Sequence, residues 1–174
     1  NIDKDSIPQF PKNKKVIFSL GRLALNKGFE YLIESAKYLD DDYVIYIGGN
    51  GKLKHSLESL IAQKNLQNKV FLIGEINRKN LQYYYTNCHI FVLPSIQESY
   101  GIVLIEAMSF KKPIICTKLF PSGNDWINQN NITGLAVESK DSKAIANAIK
   151  KIESNYEFYA NNAYERYLGE FTQD

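Results

Sequence analysis

Short apolar runs alternate with amphipathic segments along most of this chain, and that alternation constrains the fold more than any other feature. The runs are rich in β-branched and aromatic residues, which favour strands. They lie at residues 16–20, 43–47, 70–73, 90–93, 114–116 and 135–137. Strands that alternate with helices predict an α/β domain. We expect a Rossmann-like, doubly wound parallel sheet of about six strands with helices on both faces.

The helices between the strands are indicated by apolar residues that recur with a period near 3.6. Three segments show this spacing: Phe29, Leu32, Ile33, Ala36 and Leu39; Leu53, Leu57, Leu60 and Ile61; and Ala144, Ile145, Ala148, Ile149 and Ile152. Asp141 is a candidate N-cap for the third segment, because its carboxylate can accept a hydrogen bond from the first turn of a helix.

The two ends of the chain differ from its middle. Residues 1–13 are polar and contain two prolines, which predicts an interdomain linker remnant. Residues 14–153 hold every predicted strand and are interpreted as one ligand-binding domain. Residues 154–174 are rich in aromatic side chains and predict a C-terminal helical segment. That segment either packs across the domain or has lost a partner surface.

Charge, hydropathy and cysteine usage exclude several classes of function. The net charge of +2 comes from 21 basic and 19 acidic residues, so nucleic acid is not an expected partner. No apolar stretch approaches the roughly 20 residues that span a bilayer. Cys88 and Cys116 adjoin apolar runs without metal-ligand spacing. We therefore expect buried thiols, no metal site and a cytoplasmic location.

Two cationic residues follow the first predicted strand. Gly21-Arg22-Leu23 is succeeded by Lys27-Gly28, which opens the first long helix. Ligands bind at the carboxyl ends of the strands in doubly wound sheets. Arginine offers a planar fork of donors and lysine a mobile point charge, so a diphosphate is their natural counterpart. The alternative is that both are solvated surface cations.

Two glutamates, Glu98 and Glu106, lie eight residues apart around Gly101. Glu106 interrupts an apolar run, and a buried carboxylate requires a hydrogen-bond partner. Glu98 precedes Gly101, which opens an apparent helix, and the free N–H groups at a helix start attract anions. The pattern predicts a ligand that is part hydroxyl and part phosphate, as a nucleotide-sugar is. The alternative for Glu98 is a carboxylate stabilised by the helix dipole.

Other enzyme classes fit these residues less well. If both glutamates lay on one helix, they would be about 12 Å apart, whereas glycosidase carboxyl pairs lie roughly 5–9.5 Å apart. Two separate binding roles are therefore favoured over a shared hydrolytic role. The stretch Gly48-Gly49-Asn50-Gly51 fails both the dinucleotide and the P-loop patterns. It is interpreted as a tight turn that lines a cleft.

Residues 14 to about 153 resemble the C-terminal, donor-binding domain of the group 1 (family 4) glycosyltransferases, which have the GT-B fold. The matching pieces, in the order of the family, are Gly21-Arg22-Leu23 with Lys27-Gly28, Ile47 to Gly51, Val70 to Gly74, Leu93-Pro94-Ser95, Glu98 to Gly101, Glu106-Ala107-Met108, Pro113-Ile114-Ile115 and Thr133-Gly134-Leu135. The glutamate pair in this context is specific, whereas any fragment alone is a weak signal.

The resemblance implies a role for each matching residue. Arg22, Lys27 and Glu98 would be catalytic: the two cations would stabilise the departing diphosphate, and Glu98 would hold sugar hydroxyls. Glu106 would bind the ribose hydroxyls of the donor. The other donor-binding positions would be Gly21, Gly49, Gly74, Ile76, Ser99, Tyr100 and Gly101. Enzymes of this type retain anomeric configuration, usually without an essential metal or cofactor, and UDP or GDP is the expected nucleotide of the donor.

The resemblance also implies partners that lie outside the chain. A glycan or lipid-linked acceptor would bind through an N-terminal domain expected before residue 1, and residues 154–174 would begin the crossover to it. The resemblance allows peripheral association of the full-length enzyme with the cytoplasmic face of a membrane. Residues 121–125 depart from the family pattern, which leaves open whether Asp125 replaces a family carboxylate. A nucleotide-sugar epimerase of related fold and a non-catalytic nucleotide-binding module are the alternative functions.

Overall fold

The computed structural model describes residues 7–172 and contains a single parallel sheet in that part of the chain. Its strands are β1 (Lys15–Leu20), β2 (Tyr43–Gly48), β3 (Val70–Gly74), β4 (Ile90–Leu93), β5 (Ile114–Thr117) and β6 (Gly134–Val137). The strand order is β3-β2-β1-β4-β5-β6. The predicted six-stranded, doubly wound sheet is thereby confirmed. Because the strand order reverses between β1 and β4, a crevice opens at their carboxyl ends.

Helices cover both faces of the sheet. They are α1 (Phe29–Ser35), α2 (Lys54–Gln63), α3 (Arg78–Asn87), α4 (Ile102–Ser109), α5 (Asn124–Ile127), α6 (Ser142–Glu153) and α7 (Tyr156–Glu170). The buried apolar side chains of α1, α2 and α6 belong to one cluster, and those of α3 and α4 belong to a second cluster on the opposite face. The central strands are therefore buried on both sides, as their nearly continuous apolar sequences predict.

Local sequence explains where several helices begin and end. Asp141 caps α6, since its side chain accepts a hydrogen bond from the N–H of Ala144. The first helix is shorter than its periodicity predicts. The helix α1 ends at Ser35, and a 3₁₀ turn from Ala36 to Tyr38 follows it. The helix α3 was not among the three segments identified from the sequence.

The N-terminal segment is anchored by one aromatic residue. Phe10 is buried, and its ring packs against Tyr46 and Tyr84 at centroid distances of 4.7 and 5.3 Å. The backbone N–H of Phe10 donates to the hydroxyl of Tyr83 at 2.9 Å. This part of the predicted linker therefore contributes to the core, and residues 1–6 lie outside the described part of the chain.

The C-terminal helix α7 packs across the domain against α4. Tyr159, Ala160 and Ala163 are buried along its inner face. Of the two arrangements that the sequence left open for this segment, the structure shows the packed one, and residues 173–174 lie outside the description. None of the helices within residues 7–172 is long and apolar enough to cross a membrane.

Candidate functional site

A cavity of about 490 Å³ lies at the carboxyl edge of the sheet, where the loops after β1 and β4 face each other. Its walls are formed by Leu20, Gly21, Arg22, Asn26, Lys27, Glu98, Ser99, Tyr100, Gly101, Ile102 and Val103. A larger hollow of about 850 Å³ lies at the opposite, amino edge, around Pro11, Lys14 and Tyr83. None of the sequence-predicted site residues lines that hollow, so the smaller cavity is the candidate site.

Lys27 and Glu98 are brought into direct contact in this cavity. The ammonium Nζ of Lys27 lies 2.6 Å from Oε2 of Glu98, and their side chains are only 21% and 14% exposed. The carboxylate also accepts hydrogen bonds from the hydroxyl of Ser95 and the N–H of Ser99, both at 3.2 Å. Glu98 is therefore held in one orientation, with part of its accepting capacity directed at the cavity.

The two loops that carry this pair are joined by backbone contacts. The carbonyl of Asn26 accepts hydrogen bonds from the N–H groups of Ile96 and Gln97 at 2.8 and 3.1 Å. Gly28 has a φ of +64°, and a Cβ at this position would lie 2.2 Å from the carbonyl oxygen of Pro94. Only glycine permits this approach. The contact between the loops sets the position of Lys27 relative to Glu98.

Arg22 lies at the mouth of the same cavity and is exposed. Its neighbours are anchored: the N–H of Gly21 donates to Gly48 at 3.1 Å, and that of Leu23 donates to Asn50 at 2.9 Å. Within residues 7–172 the guanidinium of Arg22 has no hydrogen bond or ion pair. A cation on a fixed backbone with unused donors is suited to an anionic ligand.

The start of α4 forms the opposite wall. Gly101 precedes the helix with a φ of +61°, and the exposed Tyr100 and Ile102 flank it. The first N–H groups of a helix have no partner within the helix and carry part of its positive dipole. The wall therefore adds uncharged donors to the cationic side chains across the cavity.

Glu106 lies further along α4, outside the residues that line the cavity, and is half-buried. Its Oε2 accepts a hydrogen bond from the hydroxyl of Tyr85 at 2.8 Å. This is the kind of partner that the apolar surroundings of Glu106 predicted, although the sequence did not identify Tyr85. Glu98 lies in the loop before α4, so the estimate of about 12 Å for two residues on one helix does not apply.

The remaining predicted glycines and Ile76 lie beyond β1, at the carboxyl ends of β2 and β3. Gly49 has a φ of +131°, and a Cβ there would lie 1.8 Å from the carbonyl oxygen of Gly21. Gly74 has a φ of +74° with open space around it, and Ile76 packs against Gly48. These residues form a surface that adjoins the cavity without lining it.

The loop after β5 supports the Ser99 to Gly101 turn. The N–H of Gly123 donates to the carbonyl of Ser99 at 2.9 Å, and Asn124 is fully buried with its Oδ1 against Gly101. Arg166 of α7 secures the following α5 by donating from Nε to the carbonyl of Ile127 at 2.9 Å. This support was not predicted from the sequence, since long-range packing has no local signal. Asp125 is exposed and does not line the cavity.

No group of three or more His, Cys, Asp or Glu side chains that could hold a metal ion is present in residues 7–172. The cations at the cavity are those of Arg22 and Lys27, and its carboxylate is that of Glu98. The arrangement can bind a ligand with an anionic group on one side and hydroxyl groups on the other.

The family model described as "Glycosyl transferases group 1" matches residues 2–167. This chain belongs to the group 1 glycosyltransferases. The family predicted from the sequence motifs is thereby confirmed.

Two curated relatives match this chain over part of their own length. An uncharacterized glycosyltransferase of Methanocaldococcus jannaschii is 30% identical over 164 residues, which cover 89% of this chain and 42% of the relative. An N-acetylgalactosaminyltransferase of Campylobacter jejuni, which acts on a diphospho-undecaprenol-linked sugar, is 31% identical over 150 residues, covering 86% of this chain and 40% of the relative. The chain thus spans less than half the length of either relative.

Solved structures of glycosyltransferases share the fold. Sucrose-phosphate synthase from Thermosynechococcus elongatus superimposes with a TM-score of 0.84 at 26% identity, covering 92% of this chain and 42% of that one. Anabaena HepE in complex with UDP gives a TM-score of 0.84 at 21% identity, covering 91% of this chain and 45% of that one. The sheet and its helices match one Rossmann-like half of the GT-B fold.

Proposed function

We propose that this chain is the donor-binding half of a retaining glycosyltransferase, which transfers a hexose from a UDP- or GDP-sugar to a glycan or lipid-linked acceptor. One observation carries the proposal: Arg22, the Lys27–Glu98 pair and the start of α4 converge on one cavity at the carboxyl edge of the sheet. That edge is where doubly wound sheets bind their ligands.

The cationic side of the cavity fits the diphosphate of such a donor. During transfer, the bond between the anomeric carbon and the diphosphate oxygen breaks, and the leaving diphosphate takes the electron pair. The acceptor hydroxyl oxygen forms the new bond to the anomeric carbon, and its proton passes to the departing diphosphate. Arg22 and Lys27 stabilise the charge that develops on the diphosphate, because preorganised donors at such a position contribute about 3–4 kcal/mol each. Arg22 has its donors free for this role.

The acidic side of the cavity fits the sugar. Glu98 is fixed by Lys27, Ser95 and Ser99, and its remaining lone pairs can accept hydrogen bonds from sugar hydroxyls. In this proposal Glu106 binds the ribose hydroxyls, and the surface formed by Gly49, Gly74 and Ile76 receives the base. Backbone groups dominate that surface, so the choice between UDP and GDP is left to experiment.

The relatives support this assignment. HepE has been solved with UDP-glucose as well as with UDP, and the Campylobacter jejuni relative is named for transfer onto a diphospho-undecaprenol-linked sugar. Because this chain spans less than half of such proteins, the acceptor, a second domain and a cytoplasmic or membrane-peripheral location belong to the proposal.

The proposal is tested by thermal unfolding of the chain with UDP, GDP or ADP, in the wild type, an Arg22→Ala variant and a Lys150→Ala control. Arg22 and Lys150 are both exposed cations, but only Arg22 lines the cavity. A nucleotide present at 100 times its Kd adds about 2.7 kcal/mol of stability. One nucleotide should raise the Tm of the wild type and the control, and raise that of Arg22→Ala much less.

The alternative functions give different results. A non-catalytic module with a vestigial site binds none of the three nucleotides, which would contradict the proposal. An equal shift in Arg22→Ala and the wild type would place the nucleotide elsewhere on the surface. A nucleotide-sugar epimerase would convert the sugar of an added donor without any acceptor, which product analysis detects.

A further inference from the structure

We infer that Tyr85 is a positioning residue for Glu106 and thereby sets the preference of this site for ribonucleotides over 2′-deoxyribonucleotides. The inference rests on the proposed function, because it concerns the ribose of the proposed donor. Tyr85 belongs to α3, a helix that contributes no residue to the lining of the cavity.

The contact between Tyr85 and Glu106 joins two helices on the same face of the sheet. The hydroxyl of Tyr85 donates to Oε2 of Glu106 at 2.8 Å, and the two residues are 21 positions apart. Within residues 7–172, the carboxylate of Glu106 accepts no hydrogen bond other than this one. Oε1 of Glu106 is therefore left with its accepting capacity unused.

The ring of Tyr85 is held rigidly. Its side chain is 1% exposed, stacks on Phe110 with a centroid distance of 5.5 Å and an interplanar angle of 12°, and meets the edge of Phe18 at 5.6 Å. Such packing leaves the hydroxyl one position, from which it reaches Glu106. Burial, and then the neighbouring charge of Glu106, raise the pKa of Tyr85, so the hydroxyl keeps its proton and remains a donor.

The fixed hydroxyl of Tyr85 restricts the orientation of the carboxylate of Glu106. The terminal torsion of a glutamate side chain is broad, so an unrestrained carboxylate samples many orientations. The bond to Oε2 selects one plane for the carboxylate of Glu106 and hence one direction for Oε1. A carboxylate that is already oriented loses less entropy when it binds the hydroxyls of a ribose. Removing the 2′-hydroxyl removes one of the groups that benefit from this orientation.

The experiment is isothermal titration of the folded chain with UDP and 2′-deoxy-UDP, and with GDP and 2′-deoxy-GDP, in the wild type, Tyr85→Phe and Tyr84→Phe. Tyr84 is the matched control, because it is also 1% exposed on α3 and makes no hydrogen bond to Glu106. Tyr85→Phe should lower the ratio of ribonucleotide to deoxyribonucleotide affinity by about five- to tenfold, which lies within the range for one net hydrogen bond. Tyr84→Phe should leave that ratio unchanged.

A Glu106→Gln background tests whether Tyr85 acts through Glu106. In that background, Tyr85→Phe should produce no further change in the affinity ratio. The inference would be overturned if Tyr85→Phe left the affinity ratio at its wild-type value, or if both nucleotides lost affinity equally. Either result would show that Tyr85 only supports the packing. Neither result affects the proposed function, whereas a folded wild type that binds none of the four nucleotides overturns both.

Discussion

Gly101 illustrates how a single residue determines the shape of the cavity. It precedes α4 with a φ of +61°, and a Cβ at this position would lie 2.5 Å from Oδ1 of Asn124. Gly74 has a similar φ of +74°, but nothing lies within 4 Å of the position of its Cβ. Substituting alanine at each of the two glycines therefore distinguishes the free-energy cost of backbone strain from that of a steric clash.

We expect Gly101→Ala to lower the free energy of unfolding by about 2–5 kcal/mol, from left-handed backbone strain of about 1–2 kcal/mol and overpacking of about 1–3 kcal/mol. Gly74→Ala should lose only the strain, about 1–2 kcal/mol. Urea unfolding of both variants measures the difference. Equal losses would mean that the support given by Asn124 yields to the added methyl group.

At the scale of elements, a polar network joins the end of α6 to the amino ends of β1 and β4. Glu153 accepts from Lys15 at 2.6 Å and contacts His89, while the hydroxyl of Tyr156 donates to the carbonyl of His89 at 2.7 Å. The rings of His89 and Tyr156 stack at a centroid distance of 4.2 Å. Burial by itself raises the pKa of Glu153, but the hydrogen bonds from Lys15 and His89 outweigh it, and the pKa is lowered from 4.5.

This network predicts a pH dependence of stability. A carboxylate whose pKa is lower in the folded state stabilises the fold above its unfolded pKa, and that stabilisation is lost as the pH falls through the folded pKa. The wild type should therefore be more stable than Glu153→Gln at neutral pH, and the difference should shrink below about pH 4.5.

Chemical denaturation of both proteins between pH 7 and pH 3 measures this difference. Glu157→Gln is the control, since Glu157 is an exposed carboxylate on the neighbouring α7. A difference between wild type and Glu153→Gln that stays constant down to pH 3 would show that the network does not depend on the charge of Glu153.

At the scale of the whole molecule, two apolar clusters lie on opposite faces of one sheet. Cys88 and Cys116 are free thiols that are 3% and 1% exposed, and both belong to the cluster on the α3 and α4 face. Burial raises the pKa of Cys88 and that of Cys116 to about 12, so the reactive thiolate is scarce in the folded protein.

Both cysteines should therefore react with iodoacetamide only when the domain unfolds. We expect alkylation of the native protein at pH 8 to be slower than that of the unfolded protein by on the order of 1,000-fold or more. Mass spectrometry of each cysteine-containing peptide measures the rates, and a cysteine introduced as Ser59→Cys on the exposed side of α2 is the reactive control. Rapid labelling of either native cysteine would indicate local opening of that face.

The elements of the fold differ in how clearly the local sequence predicts them. All six strands were found, because β-branched residues buried on both faces form short apolar runs. The helix α3 was missed although Leu81, Tyr84 and Tyr85 have helical spacing, since three successive tyrosines also favour a strand. The anchoring of residues 7–13 was missed because Phe10 and the partly buried Ile7 carry it without forming a periodic apolar pattern.

The sequence by itself determined the α/β class, the sheet, the family and the residue types gathered at the carboxyl edge, because periodicity and strand-end motifs are local properties of the chain. Only the tertiary structure decided how those residues meet. It paired Lys27 with Glu98, left Arg22 without a partner in the described part of the chain, and set Tyr85 against Glu106. The physical reason is that these contacts join residues far apart in sequence, and packing of whole elements brings them together.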